Sequence, residues 1–233
     1  MKTLLAVSPH LDDAVFSAGA LLWSAGQRDW RVIVATVFTG NVARPTGFAL
    51  ACQLDKGLPE NADYMALRRE EDRLACTALG AEPIHLPLLE APHRGYDSAA
   101  ALFDRVLPGD EARERVTTAL AELLRTVQPD LVFGPLTIGG HVDHLIVRDA
   151  LEDQVSRRLR LWEDWPYVDR SGGQERTLAF QVTISPEART AKLRACACYA
   201  TQLGFQFGGA DALAERLERQ QGEWYHRPLS PRS

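Results

Sequence analysis

The feature that most constrains the fold is an alternation along the chain. Short apolar runs of strand length are separated by longer segments with helical spacing. The runs are TLLAVSP, RVIVATVF, PIHLPLL and DLVFGPL, with a later one at TLAFQVTIS. Between them, AVFSAGALLWSAG ends at Gly26, and glycine is the residue type favoured just past a helix. NADYMALRREEDRLACTALG places Leu67, Leu74 and Leu79 on one face and ends at Gly80. DEARERVTTALAELLRTVQ sets Val116, Leu120, Leu123 and Val127 at helical intervals, and HLIVRDALEDQVSRRL does the same with Val147, Leu151 and Val155. Strands and helices in alternation predict βαβ units and a mostly parallel sheet between helical layers. The expected fold is therefore α/β, a Rossmann-like three-layer sandwich.

At 233 residues and 45% hydrophobic content, the chain suits one sizeable domain. Residues 1–227 are expected to form it, with 228–233, PLSPRS, as a flexible tail. Two segments lack a clear period and read as irregular connections: 40–62, with two prolines, and 88–98, LLEAPHRGYDS. Long loops in compact domains are often functional. The formal net charge of −5 argues against nucleic acid as a partner. No stretch approaches the roughly 20 apolar residues of a membrane span, so no membrane partner is expected. The first residues, MKTLLAVSPH, hold too short an apolar segment for a secretory signal, and the expected location is cytoplasmic. Cys52, Cys76, Cys196 and Cys198 show neither zinc-knuckle nor redox spacing and read as small buried hydrophobes.

The chemistry concentrates at two strand ends. SPHLDD, residues 8–13, leaves the first strand and opens the first helix. An aspartate there serves as a helix cap, which accounts for one carboxylate and leaves the other and His10 without a role. After the strand DLVFGPL comes TIGGHVDHLIV, where Gly139 and Gly140 free the backbone to turn and His141, Asp143 and His144 follow. Ligands of open α/β sheets bind beyond the carboxyl ends of strands. If the two strands are neighbours, His10, Asp13 and His144 converge, and two imidazoles with one carboxylate plus water compose a catalytic zinc site. Iron(II) or cobalt suits the same donors. Of the remaining histidines, His85 reads as a core or edge residue, His226 as solvated and His93 as a loop residue able to face a ligand.

These residues resemble the PIG-L/LmbE-like zinc-dependent N-acetylglucosaminyl deacetylases. The first family motif, His-Pro-Asp-Asp-Glu, stands here as His10-Leu11-Asp12-Asp13-Ala14, with leucine for proline and alanine for glutamate. The second, His-x-Asp-His, is met by His141-Val142-Asp143-His144. A third pattern is matched by Arg68, Glu71, Ala75, Leu79 and Gly80, and KLRACACYATQ resembles a fourth with Thr201 in place of serine. The resemblance implies that His10, Asp13 and His144 bind Zn2+ and that Asp12 is the general base. It makes His141 the residue that stabilises the oxyanion or protonates the leaving amine, with Asp143 holding the His141 ring. The implied reaction is hydrolysis of the N-acetyl group of an amino-sugar derivative of GlcNAc type, a zinc-activated water attacking the amide. Arg68, Glu90 and Arg94 are the candidate substrate-binding residues, and the expected partner is a small N-acetylated sugar.

Besides a structural zinc protein, which would keep its metal and turn over no amide, two other functions fit the same sequence. One is an N-acyl amidase of the same family acting on an antibiotic or a thiol glycoside. The other is a non-catalytic sugar-binding Rossmann-like module, disfavoured because the first strand–helix turn carries HLDD and no glycine-rich phosphate loop. The aromatic cluster LWEDWPYV around Trp162 and Trp165 permits sugar stacking, core packing or a contact in a homo-oligomer.

Overall fold

The computed structural model describes residues 1–171, 176 and 179–228. Its elements run β1 (Thr3–Ser8), α1 (Asp13–Gly26), β2 (Arg31–Thr36), α2 (Gly47–Leu54), α3 (Tyr64–Leu79), β3 (Glu82–His85), α4 (Ala99–Leu102), α5 (Ala112–Val127) and β4 (Leu131–Pro135). They continue with α6 (Val142–Val155), β5 (Leu159–Trp162), α7 (Tyr167–Arg170), β6 (Ala179–Thr183), α8 (Pro186–Ala197), α9 (Ala200–Phe207), α10 (Ala210–Arg219) and β7 (Gly222–His226). The seven strands form one sheet in the order β3-β2-β1-β4-β5-β7-β6. The first five are parallel, and β7 pairs antiparallel with both β5 and β6. This is the expected α/β class, a mostly parallel sheet flanked by helices.

The parallel strands are apolar on both faces, as a sheet covered on both sides requires. Side chains alternate along each strand and so divide between two cores. Leu4, Ala6, Val32, Val34 and Phe133 face α1, α3 and the C-terminal helices. Leu5, Val7, Ile33, Ala35 and Val132 face α5 and α6, meeting Val116, Leu120, Val147 and Leu151. Gly134 in β4 is part of that second contact. A Cβ there would stand 2.5 Å from Leu151 Cδ1, so only glycine lets α6 lie this close.

The chain runs outward from β1 through β2 to β3, then returns to β1's other side to place β4. The order therefore reverses between β1 and β4, which pair with Leu4 opposite Leu131 and Ala6 opposite Phe133. The crevice at such a reversal is where open α/β sheets bind ligands. It receives SPHLDD from one strand and TIGGHVDH from the other.

Several expectations are corrected. Residues 40–62 are not wholly irregular, since α2 lies within them. The buried face of α3 carries Met65, Arg68, Asp72, Ala75, Cys76 and Leu79, while Leu67 and Leu74 remain 43% and 44% exposed. Leu79 is buried as expected, but two polar residues, Arg68 and Asp72, share its face in place of Leu67 and Leu74. Trp162 and Trp165 are buried in the core, so they offer neither a sugar platform nor a subunit contact. His226 is not solvated; it lies buried on β7 against Glu163, 3.1 Å away. Cys76 and Cys196 are buried as expected, whereas Cys52 and Cys198 are half-buried. Strands β5 and β7 and helices α8 to α10 lie outside the predicted elements, although α10 is amphipathic and buries Leu213 and Leu217 on one face. Of the run TLAFQVTIS, residues 177 and 178 lie outside the described residues, as does the tail from 229.

A buried ion pair joins the antiparallel edge to the centre of the fold. Lys192 Nζ on α8 lies 2.8 Å from Glu223 Oε1 on β7, and both side chains are fully enclosed. Glu223 also accepts from the Ala20 and Leu21 N–H groups of α1, each at 2.9 Å, and from the Tyr225 hydroxyl at 2.8 Å. Removing one member leaves the other charge buried and unpaired. Glu223→Ala is expected to cost about 3–5 kcal/mol in urea unfolding. Glu122→Ala, which breaks an exposed pair with Arg125, should leave the midpoint unchanged.

Candidate metal centre and active site

The turn after β1 is held by its own polar groups. The Ser8 hydroxyl donates to the His10 carbonyl at 2.7 Å and accepts from Ala14 N–H at 3.0 Å. Asp13 Oδ2 accepts from His10 N–H at 2.8 Å, which brings the carboxylate back over the imidazole. After β4, Gly139 and Gly140 take φ of 91° and 76°, left-handed backbone that glycine adopts without strain. They deliver His141 as the N-cap of α6, its Nδ1 accepting from Asp143 N–H at 3.1 Å. His144 follows one turn in, fully buried.

His10, Asp13 and His144 converge. His10 Nδ1 is 3.1 Å and His144 Nε2 3.2 Å from Asp13 Oδ2. One donor atom from each of the three residues lies within 4.8 Å of the other two, close enough to share one ion. The far nitrogen of each imidazole is held by a carboxylate: His10 Nε2 by Asp143 Oδ2 and His144 Nδ1 by Asp164 Oδ1, both at 2.9 Å. Protons on those nitrogens leave His10 Nδ1 and His144 Nε2 as lone pairs. His144 Nε2 is buried without a hydrogen-bond partner, close to Asp13 but not aligned with it. An orphaned imidazole nitrogen, a carboxylate and a second imidazole, each backed by an outer carboxylate, are the donor set and support that a divalent ion requires.

The electrostatics agree. Burial alone would lower both imidazoles, yet Asp13 and Asp143 raise the pKa of His10 well above its usual range. Asp13 and Asp164 likewise push His144 up to about 9. Asp13, despite burial, is held well below the carboxylate range by His144 and His10. The cluster thus attracts positive charge, as protons or as a metal ion. A second triplet, His10, His141 and Asp143, is equally compact. It is less suited to a cation because the Arg94 guanidinium already lies 2.7 Å from Asp143 Oδ1.

Asp12 is beside the cluster. Burial, then the charge of Asp13, pushes its pKa up to about 7 against the pull of Arg68. Arg68 comes from the buried face of α3, its guanidinium 3.6 Å from Asp12 Oδ1 and 2.5 Å from Glu90 Oε1, and donates to the Leu11 carbonyl at 3.3 Å. Its Nε is buried with no partner. His141 is pushed down to about 3 by burial and by the neighbouring His10.

Three expected roles change with the geometry. The Asp143 carboxylate does not hold the His141 ring: its oxygens serve His10, Arg94 and Ala91 N–H, and only its backbone N–H reaches His141. Arg94 is not free for sugar hydroxyls, because its donors go to Asp143, Asp110 and the Leu89 carbonyl. Arg68 and Glu90 do border the cluster, but paired with each other. Asp164 was missed. It stands just beyond β5, in an acidic pair that mirrors Asp12-Asp13 beyond β1; the unrecognised strand hid the parallel. A cleft of about 570 Å³ between Trp165, Arg170, Arg216 and Trp224 holds none of the cluster residues.

An α/β sheet with a histidine–carboxylate cluster at its point of reversal is a fold and site able to hold a metal ion. The chain belongs to the PIG-L family: the GlcNAc-PI de-N-acetylase model matches residues 5–155. It is 36% identical over 184 residues to the 2'-N-acetylparomamine deacetylase of Streptomyces fradiae, a match covering 76% of this chain and 62% of that one. The chain therefore spans less than two thirds of that relative's length. The zinc-inhibited form of teicoplanin deacetylase Orf2 superposes with a TM-score of 0.84 at 28% identity, covering 97% of both chains. The A40926 pseudoaglycone deacetylase gives 0.80 at 30% identity over 99% of this chain and 98% of its own.

If Asp164 orients His144 as a ligand, Asp164→Asn should lower zinc affinity about 10- to 100-fold, read by chelator competition with metal analysis. An unchanged affinity would show that the His144 Nδ1 contact is merely structural.

Proposed function

We propose that the protein is a divalent-metal-dependent N-deacetylase whose substrate is an N-acetylated amino sugar within an antibiotic-type glycoside. The observation that carries this reading is the orphaned His144 Nε2 facing Asp13 and His10, with Asp12 next to it. The aminoglycoside and glycopeptide deacetylases among the relatives support a sugar-bearing antibiotic over simple GlcNAc derivatives. His10, Asp13 and His144 would hold the ion. When bound, it supplies Lewis acidity, polarising an amide carbonyl and lowering the pKa of a water to about 7.

The chain's own groups do the rest. Asp12 takes the proton of the attacking water: burial raises its pKa, Arg68 at 3.6 Å pulls it back, and a carboxylate beside the donor cluster is placed to act as general base. The field of a cation at Asp13 keeps Asp12 ionised before the transfer. His141, with Nδ1 occupied by Asp143 N–H, carries its neutral-state proton on Nε2 and donates it as a hydrogen bond to the carbonyl oxygen as charge builds there. The C–N bond breaks as the nitrogen takes up the proton that Asp12 removed, giving acetate and a free amine. Arg68 holds Asp12 and Glu90 in place and leaves its Nε for a substrate oxygen.

Acetate release across N-acetylated aminoglycoside fragments, glycopeptide pseudoaglycones and GlcNAc derivatives tests the substrate class. Turnover of GlcNAc derivatives alone would remove the antibiotic reading. For the base, Asp12→Asn should keep stoichiometric zinc and lose about 100- to 10,000-fold in kcat. Near-wild-type kcat in the zinc-loaded variant would reassign the base.

A further inference from the structure

Resting on the function proposed above, we propose that Phe103, with Tyr167 beside it, forms an aromatic wall that receives the apolar face of the amino-sugar ring whose acetamide is cleaved. Phe103 follows α4, in a segment anchored on its other side. Ala101, Leu102, Val106 and Leu107 pack against the buried cluster of Ala91, Tyr96 and Val142. The Tyr96 hydroxyl donates to Asp110 at 2.8 Å and accepts from Leu107 N–H at 3.0 Å. With its neighbours tied inward, Phe103 is turned outward and stays 43% exposed.

Its ring is not idle there. It stands edge-on to His141, with centroids 5.2 Å apart and planes at 88°, and 6.1 Å from the Tyr167 ring. Tyr167 in turn lies 5.9 Å from His144 and packs where a side chain on Gly139 would stand, 3.2 Å from that position. The two rings therefore run along the ligand cluster from His141 to His144. Single exposed apolar side chains are ordinary on a protein surface; Phe103 differs in that its ring packs edge-on against His141 at the candidate site.

The ligand class follows from the chemistry of the ring. A pyranose presents a face of C–H bonds carrying partial positive charge, and the face of an aromatic ring is negative. A sugar whose acetamide reaches the His141 Nε2 donor lies within reach of Phe103, whose ring centroid is 5.2 Å from that of His141. Neither Phe103 nor Tyr167 belongs to the histidine–aspartate motifs, so this wall can differ between chains that share the same chemistry and set which sugar is taken.

The test is steady-state kinetics on an N-acetylated amino sugar that the wild type deacetylates, with zinc content and melting temperature measured alongside. Phe103→Ala should raise KM roughly threefold to tenfold, with kcat within about twofold and zinc unchanged. Phe103→Tyr and Phe103→Trp should restore a near-wild-type KM, and Phe103→Leu should fall between. An unchanged KM in Phe103→Ala would overturn the wall. A loss of kcat at constant KM would also overturn it, by reducing Phe103 to packing for His141. A wild type that releases acetate from no sugar fails differently: it removes the functional reading, and this proposal with it.

Discussion

Everything at the site depends on one carboxylate. Asp13 sits between His10 and His144, residues 134 positions apart in the chain, and only the pairing of β1 with β4 brings them together. Neither imidazole would aim there unaided. Asp143 holds His10 from behind and Asp164 holds His144, so each ring is fixed by the nitrogen that does not face Asp13. These supports come from α6 and from the end of β5, and the histidine–aspartate cluster is therefore a property of three adjacent strand ends.

The arrangement is costly without a cation. Four carboxylates, Asp12, Asp13, Asp143 and Asp164, are buried within a few residues of one another in space. Asp143 meets part of its charge through Arg94, and Asp12 part of its own through Arg68. Asp13 has the His10 backbone N–H and the two imidazoles, and together with Asp143 and Asp164 it raises the imidazole pKa values. Burying charge is tolerable where each has a partner. A divalent ion replacing the imidazole protons would satisfy Asp13 and free the rings as neutral ligands, so the metal and the fold of the crevice stabilise the same geometry.

How much of this is legible in the sequence differs by layer. The parallel half of the sheet is plain, because covered parallel strands are continuous apolar runs and their helices keep a clean stripe. The HLDD and HVDH clusters are plain as well, since polar residues at strand ends have few structural uses. The antiparallel edge is not. LRLW and GEWYH are short and mix charge with aromatic residues, so nothing in them distinguishes a strand from a loop. Missing β5 hid Asp164, whose meaning depends on its place after a strand. On α3 the failure is more instructive. Arg68 and Asp72 occupy the buried face and exposed leucines the other, because the helix is selected to hold polar groups under the site. A hydrophobic pattern cannot report a face whose purpose is polar.

The departures at Leu11 and Ala14 can be weighed on the same terms. Both side chains are buried, Leu11 completely and Ala14 within the core beneath α1. What orders the turn here is independent of either: Ser8 joins the His10 carbonyl to Ala14 N–H, and Asp13 grips His10 N–H. Leu11 contributes through its carbonyl, which accepts from Arg68, and a backbone carbonyl is available whatever the side chain. A proline at 11 would stiffen the turn, but the turn already closes on three hydrogen bonds. Ala14 is 1% exposed and packs in the apolar cluster with Val15, Phe16 and Ala18. The substitution of alanine thus fits the surrounding core, and the ordering of Asp12 falls instead to Arg68, reaching across from α3 to the end of β1.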